Sequence, residues 1–230
     1  MTETADPTTS RVTQAMEDYL KAVYRLQEKG GAATTQALSE ELNVTGPSVT
    51  NMVKRLHEMR LLMYTRYQGV ELTLAGEKIA LEVIRHHRLL ELYLAETLGY
   101  SWDEVHDEAE KLEHHVSDDL EARMDSVLGF PTHDPHGDPI PNREGKMAQL
   151  DAMMLREAVL QDEMTVSRVS DRDPEQLRYL GTLGLFPGAG VVVLERLPFD
   201  DILKISVSGQ EHIIGKHLGE AVFVVARSPE

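Results

Sequence analysis

Glu110, Glu113 and His114 stand three and four positions apart in a stretch patterned as a helix, so the spacing puts them on one face. His106 lies one turn before Glu110 on the same side, and on the preceding expected helix His87 and Glu91 form a second i, i+4 pair. Asp18 falls near the start of the first expected helix, in the run Met16-Glu17-Asp18-Tyr19. Either pair alone is an ordinary solvated face of an acidic helix. Both pairs on consecutive helices, with Asp18, are a different matter: converging carboxylates and imidazoles repel or pair wastefully unless a cation neutralises them. With no cysteine in the chain, the ligands on offer are oxygen and imidazole. Mn²⁺ or Fe²⁺ suits such a set, with Zn²⁺ and Co²⁺ able to compete. His115 is rotated about 100° from His114 around the helix and reads as an interface or surface residue. His133 and His136 read as solvated loop histidines.

The elements that must carry these residues follow from periodicity. Apolar residues recur at helical spacing from Thr13 to Glu28, and Gly30-Gly31 stops that helix. Thr34 to Leu42 reads as a second helix, Asn43 to Gly46 as a tight turn, and Pro47 opens a third helix to about Arg60. Met63 to Leu74 alternates as a hairpin around Gln68-Gly69. Longer helices are expected over Ala75–Leu98 and Trp102–Val127, then a proline-stiffened connection from Gly129 to Arg143 and a short helical piece around Lys146–Leu155. From Met164 the pattern turns strand-like, broken by a short helix over Pro174–Leu183.

Helix, turn, helix and hairpin is the order of a winged helix-turn-helix. On the third helix Val49, Met52, Val53 and Leu56 share one face, while Pro47, Thr50, Asn51, Lys54 and Arg55 lie opposite, with Ser48 at the edge. Asn can bond adenine bidentately, and hydroxyls and cations suit phosphate oxygens. The hairpin tip, Arg66, Tyr67 and Gln68, is placed to track a neighbouring groove or the backbone. The net charge of −16 over 230 residues argues against nucleic acid only until it is mapped. Residues 11–80 hold 9 Lys/Arg against 8 Asp/Glu, whereas residues 81–160 hold 7 against 18, along with seven of the ten histidines. The acidity belongs mainly to the stretch with the candidate ligands.

Other classes find little support. The paired Glu-x-x-His signature of dinuclear helical enzymes is absent, as are His-Glu-x-x-His, the Gly-x-Ser-x-Gly elbow and the phosphate-binding Gly-x-x-x-x-Gly-Lys-Ser/Thr loop. Without cysteine there is no disulfide scaffold, thiolate zinc site or thiol nucleophile. Met1 to Ser10 is too polar for a signal peptide, and no run approaches the roughly 20 apolar residues of a membrane span. The expectation is a cytoplasmic protein, with no membrane association and no small-molecule substrate.

At this point the chain resembles the diphtheria-toxin-repressor family of metal-dependent transcriptional regulators, including its manganese-responsive branch. The resemblance rests on Met16-Glu17-Asp18-Tyr19-Leu20, Thr45-Gly46-Pro47-Ser48-Val49-Thr50, Arg85-His86-His87-Arg88-Leu89-Leu90-Glu91, and the run from Val105 to His115. Gly137-Asp138-Pro139-Ile140-Pro141 is similar to the linker of three-domain members. The resemblance implies a mainly α fold with small β parts: a winged helix-turn-helix, a helical dimerisation domain and a C-terminal SH3-like β-barrel. The expected division is a disordered N-terminus over 1–10, a DNA-binding domain over 11–74 and a metal-binding and dimerisation domain over 75–128. A proline-rich linker over 129–160 and an SH3-like domain over 161–230 complete it.

Carried over by position, the resemblance implies a primary metal site of Asp18, Glu110, Glu113 and His114. It implies an ancillary site of His87, Glu91 and His106, with Asp173 and Gln176 from the SH3-like domain. Iron-type members carry methionine where Asp18 stands and cysteine where Glu110 stands, so Mn²⁺ is the first expectation. Fe²⁺ is the alternative, with Zn²⁺, Co²⁺ or Cd²⁺ as expected substitutes in vitro. The short manganese-type regulators have a further helix-one carboxylate where this chain has Lys21, and they lack the C-terminal domain; two separated sites are therefore expected rather than a close cluster. Thr45, Pro47 and Asn51 would face bases, and Ser48, Thr50 and Arg55 phosphates. The function implied is a homodimeric, metal-activated regulator on a palindromic operator, repressing metal-uptake genes. A helical metalloenzyme or metal-storage module is the alternative from another class.

Overall fold

The computed structural model describes residues 12–28, 30, 32–65, 69–149, 151–198 and 201–227. They form two compact units, residues up to 86 with 143–145, and residues 87–142 with 146 onward. No described helix is long and apolar enough to cross a membrane.

The first unit opens with α1 (Gln14–Glu28), α2 (Thr35–Glu41) and α3 (Gly46–Glu58). Thr34 caps α2 by accepting the Ala37 N–H at 3.1 Å, and Asn43 takes a left-handed φ of 51° to turn the chain, a conformation its short polar side chain tolerates. Pro47 sits in the first turn of α3, where its missing N–H costs nothing. Met16, Leu20 and Val23 of α1, Leu38 of α2, and Val49 and Leu56 of α3 bury together. Each such aliphatic side chain contributes roughly 1.5–3 kcal/mol. The strands β1 (Leu62–Thr65) and β2 (Gly69–Leu72) pair antiparallel from Leu62↔Leu72 to Thr65↔Gly69. The hairpin tip, Arg66 to Gln68, lies outside the described residues.

The helix α4 (Leu74–Leu98) begins in this unit and ends in the second. Its start is strapped to the base of the hairpin. Thr73 accepts the Gly76 N–H at 3.2 Å, donates its hydroxyl to the Arg60 carbonyl at 2.8 Å and its N–H to the Leu61 carbonyl at 3.1 Å. A Cβ on Gly76 would stand 1.9 Å from the Leu61 carbonyl oxygen, so only glycine fits there.

In the second unit the single helix expected over Trp102–Val127 is broken. It divides into α5 (Val105–Leu112), a 3₁₀ turn at Glu113–His115 and α6 (Asp118–Val127). Val116 is extended, and Ser117 caps α6 by accepting the Leu120 N–H at 3.3 Å, with Asp118, Asp119 and Glu121 in the first turn. That is a complete helix-start signal, hidden because the apolar period continues on both sides of it. The proline-rich stretch is a folded loop rather than an extended tether: Asp134 Oδ1 accepts the N–H groups of His136 and Asp138 at 2.8 and 2.9 Å, and Ile140 is buried with the helical core.

No helix forms among the described residues of 146–154; Met153–Met154 is instead β3, paired with the last strand, ahead of the boundary expected at 161. Then come β4 (Glu163–Val169), α7 (Pro174–Thr182), β5 (Gly190–Arg196), β6 (Leu203–Val207), β7 (Gln210–Ile214), α8 (Lys216–Ala221) and β8 (Val222–Ala226). They make an antiparallel sheet of order β3-β8-β4-β5-β6-β7, with register shifts at Val166/Arg168 and Val193/Glu195 that bend it around Val166, Leu177, Leu180, Val193 and Ile205. The α8 turn was not foreseen, because six residues are too few for a helical period to show.

Candidate functional site

The outward face of α3 is intact. Thr45, Pro47, Ser48, Thr50, Asn51, Lys54 and Arg55 are all exposed, while Val49, Val53 and Leu56 are buried. Thr50 donates its hydroxyl to the Gly46 carbonyl at 3.0 Å, and the Thr45 and Ser48 hydroxyls lie 3.0 Å apart, which holds the start of the helix in one shape. Asn51 and Arg55, one turn apart, lie on the same face of the helix. This is a surface of short polar groups and cations, the chemistry of a groove reader.

The second unit contains a buried cluster centred on Glu91, which is fully enclosed. On α4, one turn earlier, His87 places Nε2 3.0 Å from Glu91 Oε1 and donates from Nδ1 to Glu113 Oε2 at 2.6 Å. His106, reaching across from α5, sets Nδ1 3.1 Å from the same Glu91 oxygen and 3.2 Å from Asp171 Oδ2. The other Glu91 oxygen, Oε2, faces Nδ1 of His136 at 3.8 Å, too long for a hydrogen bond, and both atoms are buried with no hydrogen-bond partner. His136 is turned this way by its Nε2, which donates to the Trp102 carbonyl at 2.6 Å. Two groups of potential ligand atoms therefore share Glu91: His87, Glu91, His106 and Asp171, and Glu91, Asp134 and His136, each within 4.8 Å of one another.

Burial would push the Glu91 carboxyl up, but the charge of His87 and the imidazoles of His106 and His136 hold it well below the usual carboxylate range. Burial would likewise lower His106, yet Asp171 and Glu91 lift it to about 10. His136, opposed in the same way by burial and lifted by Glu91 and Asp134, rises to about 9. Asp134 goes the other way: burial, then the charges of Glu91 and Asp138, push it well above the carboxylate range. Protons thus supply the positive charge that this cluster of carboxylates needs. A divalent cation that expelled them would find oxygen and imidazole donors already grouped, including two orphaned atoms aimed at each other, so the residues fit a metal.

The sequence-derived ligands fall as follows. His87, Glu91 and His106 come together. Glu113 turns one oxygen to His87 and the other toward His114 Nε2 at 3.4 Å. Glu110, on α5 and half-exposed, faces His106 Nε2 at 3.7 Å. Asp18 lies half-buried on α1 of the first unit. Asp173 is not at the cluster: its Oδ1 accepts the N–H groups of Glu175 and Gln176 at 2.9 and 3.2 Å and caps α7, and Gln176 lies in that capped first turn. The carboxylate that reaches His106 is Asp171, two residues earlier. Asp134 and His136 were also missed. The solvated loop expected for His136 is a buried one, whereas His133 is exposed. A signal for them existed in the Asp-x-His-Gly-Asp run, since an Asx turn inside a proline-rich stretch marks a folded loop.

That loop is clamped at both ends. Arg88 donates to the Pro139 carbonyl at 2.5 Å and lies 3.7 and 3.5 Å from the carboxylates of Asp134 and Asp138. Arg168 of β4 bonds Asp138 at 3.2 Å, and the Val169 N–H donates to the His136 carbonyl at 2.8 Å. Gly137, at a φ of 88°, passes so close to β4 that a Cβ would stand 2.0 Å from the Ser167 carbonyl oxygen.

Comparison with known proteins matches three family models along the chain. They are the iron dependent repressor N-terminal DNA binding domain over residues 11–70, the iron dependent repressor metal binding and dimerisation domain over 73–142, and the FeoA domain over 153–226. The iron-dependent repressor IdeR of Mycobacterium leprae (strain TN) is 33% identical over 215 residues, covering 87% of this chain and 92% of that one. The diphtheria toxin repressor of Corynebacterium jeikeium (strain K411) is 29% identical, covering 90% and 95%. Among solved structures, a manganese-dependent transcriptional repressor in complex with manganese superposes with a TM-score of 0.85 at 38% identity, over 92% of this chain and 100% of that one.

Proposed function

Because this chain belongs to the iron-dependent repressor family, whose members are transcriptional repressors and not enzymes, we propose that it is a Mn²⁺-activated repressor of metal-uptake genes that binds a palindromic operator as a homodimer. The observation that carries the metal is the cysteine-free cluster around Glu91, with Glu91 Oε2 and His136 Nδ1 buried and facing each other without a hydrogen-bond partner. Oxygen and imidazole donors without sulfur favour Mn²⁺ over softer ions, though Fe²⁺ fits the same donors and the choice between them depends on availability.

His87, Glu91, His106 and Asp171 would hold the ancillary ion, with Asp134 and His136 on the other side of Glu91 and Asp171 in the role first expected of Asp173 and Gln176. Glu113 and His114, with Glu110 and Asp18, would hold the primary one; the support is their ligand chemistry and the match to the family's pattern. When bound, such an ion supplies the positive charge that lets these carboxylates pack without protons. Asp18 stands on α1, which shares a core with α3, so its recruitment as a ligand ties the reading helix to metal occupancy. Metal then shifts a population toward the DNA-competent state. In that state two copies present α3 to half-sites about 34 Å apart, or a multiple of that. Leu120, Val127 and Phe130, 42%, 66% and 70% exposed on and just after α6, suit a self-association face.

Mobility-shift titrations on the promoters of metal-transporter genes, with Mn²⁺ and with anaerobic Fe²⁺ at matched free concentrations, test this. A shift that needs Mn²⁺ and is lost in Asp18→Ala supports it. A shift with Fe²⁺ at lower concentration than Mn²⁺ assigns iron instead, and a shift indifferent to metal removes the switch.

A further inference from the structure

The single tryptophan, Trp102, sits in the turn between α4 and α5 and belongs to neither ligand set. Two kinds of contact leave this turn. Through its backbone, Trp102 accepts the His136 Nε2 proton at 2.6 Å, which leaves Nδ1 as the atom of that ring facing Glu91. Through its side chain it meets the C-terminal module. The indole lies 4.8 Å from the Phe186 ring, centroid to centroid, and a Cβ on Gly181 of α7 would come within 3.4 Å of the indole nitrogen. The next residue, Asp103, stands 3.6 Å from Arg178 Nε, also on α7. Just ahead of α7 is Asp171, whose carboxylate reaches His106. One short turn thus touches a ligand of the Glu91 centre and the helix that follows another.

We propose that Trp102 is a positioning residue for the Glu91 centre: its indole docks α7, bringing Asp171 to His106, and the turn so anchored fixes the carbonyl that orients His136. The inference rests on reading that centre as a metal site, and it adds a linkage that the ligands alone do not give. A backbone carbonyl is only as fixed as its turn, and this turn is held by an aromatic contact that the bare face of Gly181 permits. Docking of the C-terminal module and filling of the centre are then reciprocal, each favouring the other by the same factor. Removing the indole leaves every ligand in the chain but loosens two of them. Losing an outer support of a metal ligand lowers metal affinity by about 10- to 100-fold.

The test uses the full chain and two readouts, Mn²⁺ binding followed by the electron paramagnetic resonance of free Mn²⁺, and amide hydrogen exchange of the metal-free protein. Trp102→Ala, and Gly181→Leu, which crowds the indole from the other side, should each weaken the Glu91-dependent Mn²⁺ site by about 10- to 100-fold. Both should speed exchange of the Val169 amide, which bonds the His136 carbonyl, while winged-helix amides keep their protection. Trp102→Phe, which keeps an aromatic ring, should retain more affinity than Trp102→Ala. Wild-type Mn²⁺ affinity and unchanged Val169 exchange in Trp102→Ala overturn the proposal. If Glu91→Gln leaves Mn²⁺ binding of the otherwise wild-type chain unaltered, the metal reading itself fails, and the metal-free exchange still decides the positioning role.

Discussion

The reading helix and the Glu91 centre are built on opposite plans. The candidate DNA contacts at the reading helix, Thr45 to Arg55, come from one continuous segment and reach solvent by the period of a helix. The Glu91 centre draws on α4, α5, the loop at Asp134–Asp138 and the approach to α7, and it is buried. A surface of the first kind is disturbed one residue at a time. A buried centre made from four segments is disturbed as a whole, since each side chain sets the charge state of the others.

The largest expected effect follows from that difference. Glu91→Ala leaves His87, His106 and His136 facing each other without the carboxylate they share, and should cost roughly 3–5 kcal/mol of stability, as breaking a buried ion pair does. Urea unfolding of the metal-free protein measures it; a cost near that of a surface substitution would mean that the cluster is not the cooperative object described. Next, metal affinity should rise with pH from 6 to 8. His106, lifted to about 10, is protonated across that range in the metal-free protein, and a cation can use it only by expelling the proton. The rise is as much as about tenfold per pH unit for each proton displaced. Isothermal titration at several pH values, with proton release followed in two buffers, checks both sign and count.

Asn51→Ala should cost about 1–3 kcal/mol of discrimination at one base pair and leave Mn²⁺ binding unchanged, as read from parallel operator variants and metal titrations. The smallest effect separates two neighbouring carboxylates. Asp173→Ala should cost about 1 kcal/mol through loss of the α7 cap, with metal affinity unmoved, whereas Asp171→Asn should weaken metal binding. The opposite pattern would return Asp173 to the ligand set.

The same contrast explains how far the sequence could be read. The period of 3.6 residues exposes a face, so the α3 surface and the pairing of His87 with Glu91 were legible, as were the winged-helix order and the strand-rich end. Convergence of distant segments leaves no such trace. Ser170-Asp171-Arg172-Asp173 offers two carboxylates in alternation, and only knowledge of which one caps α7 decides which one reaches His106. Asp134 and His136 lay in a stretch whose prolines suggest extension, while its Asx turn folds it inward. The break at Glu113–His115 was concealed because apolar residues keep helical spacing across it, so periodicity spoke for continuity and the cap at Ser117 spoke against it.

Gly76 has a mechanical consequence. With its backbone pressed against the Leu61 carbonyl and Thr73 bonded to both Arg60 and Leu61, the joint between the hairpin and the first turn of α4 has no slack. A joint without slack transmits rather than absorbs: a small roll of the first turn of α4 is delivered to the hairpin as displacement at its base. The wing of this protein is geared to its long helix, and any side chain at position 76 would strip the gear.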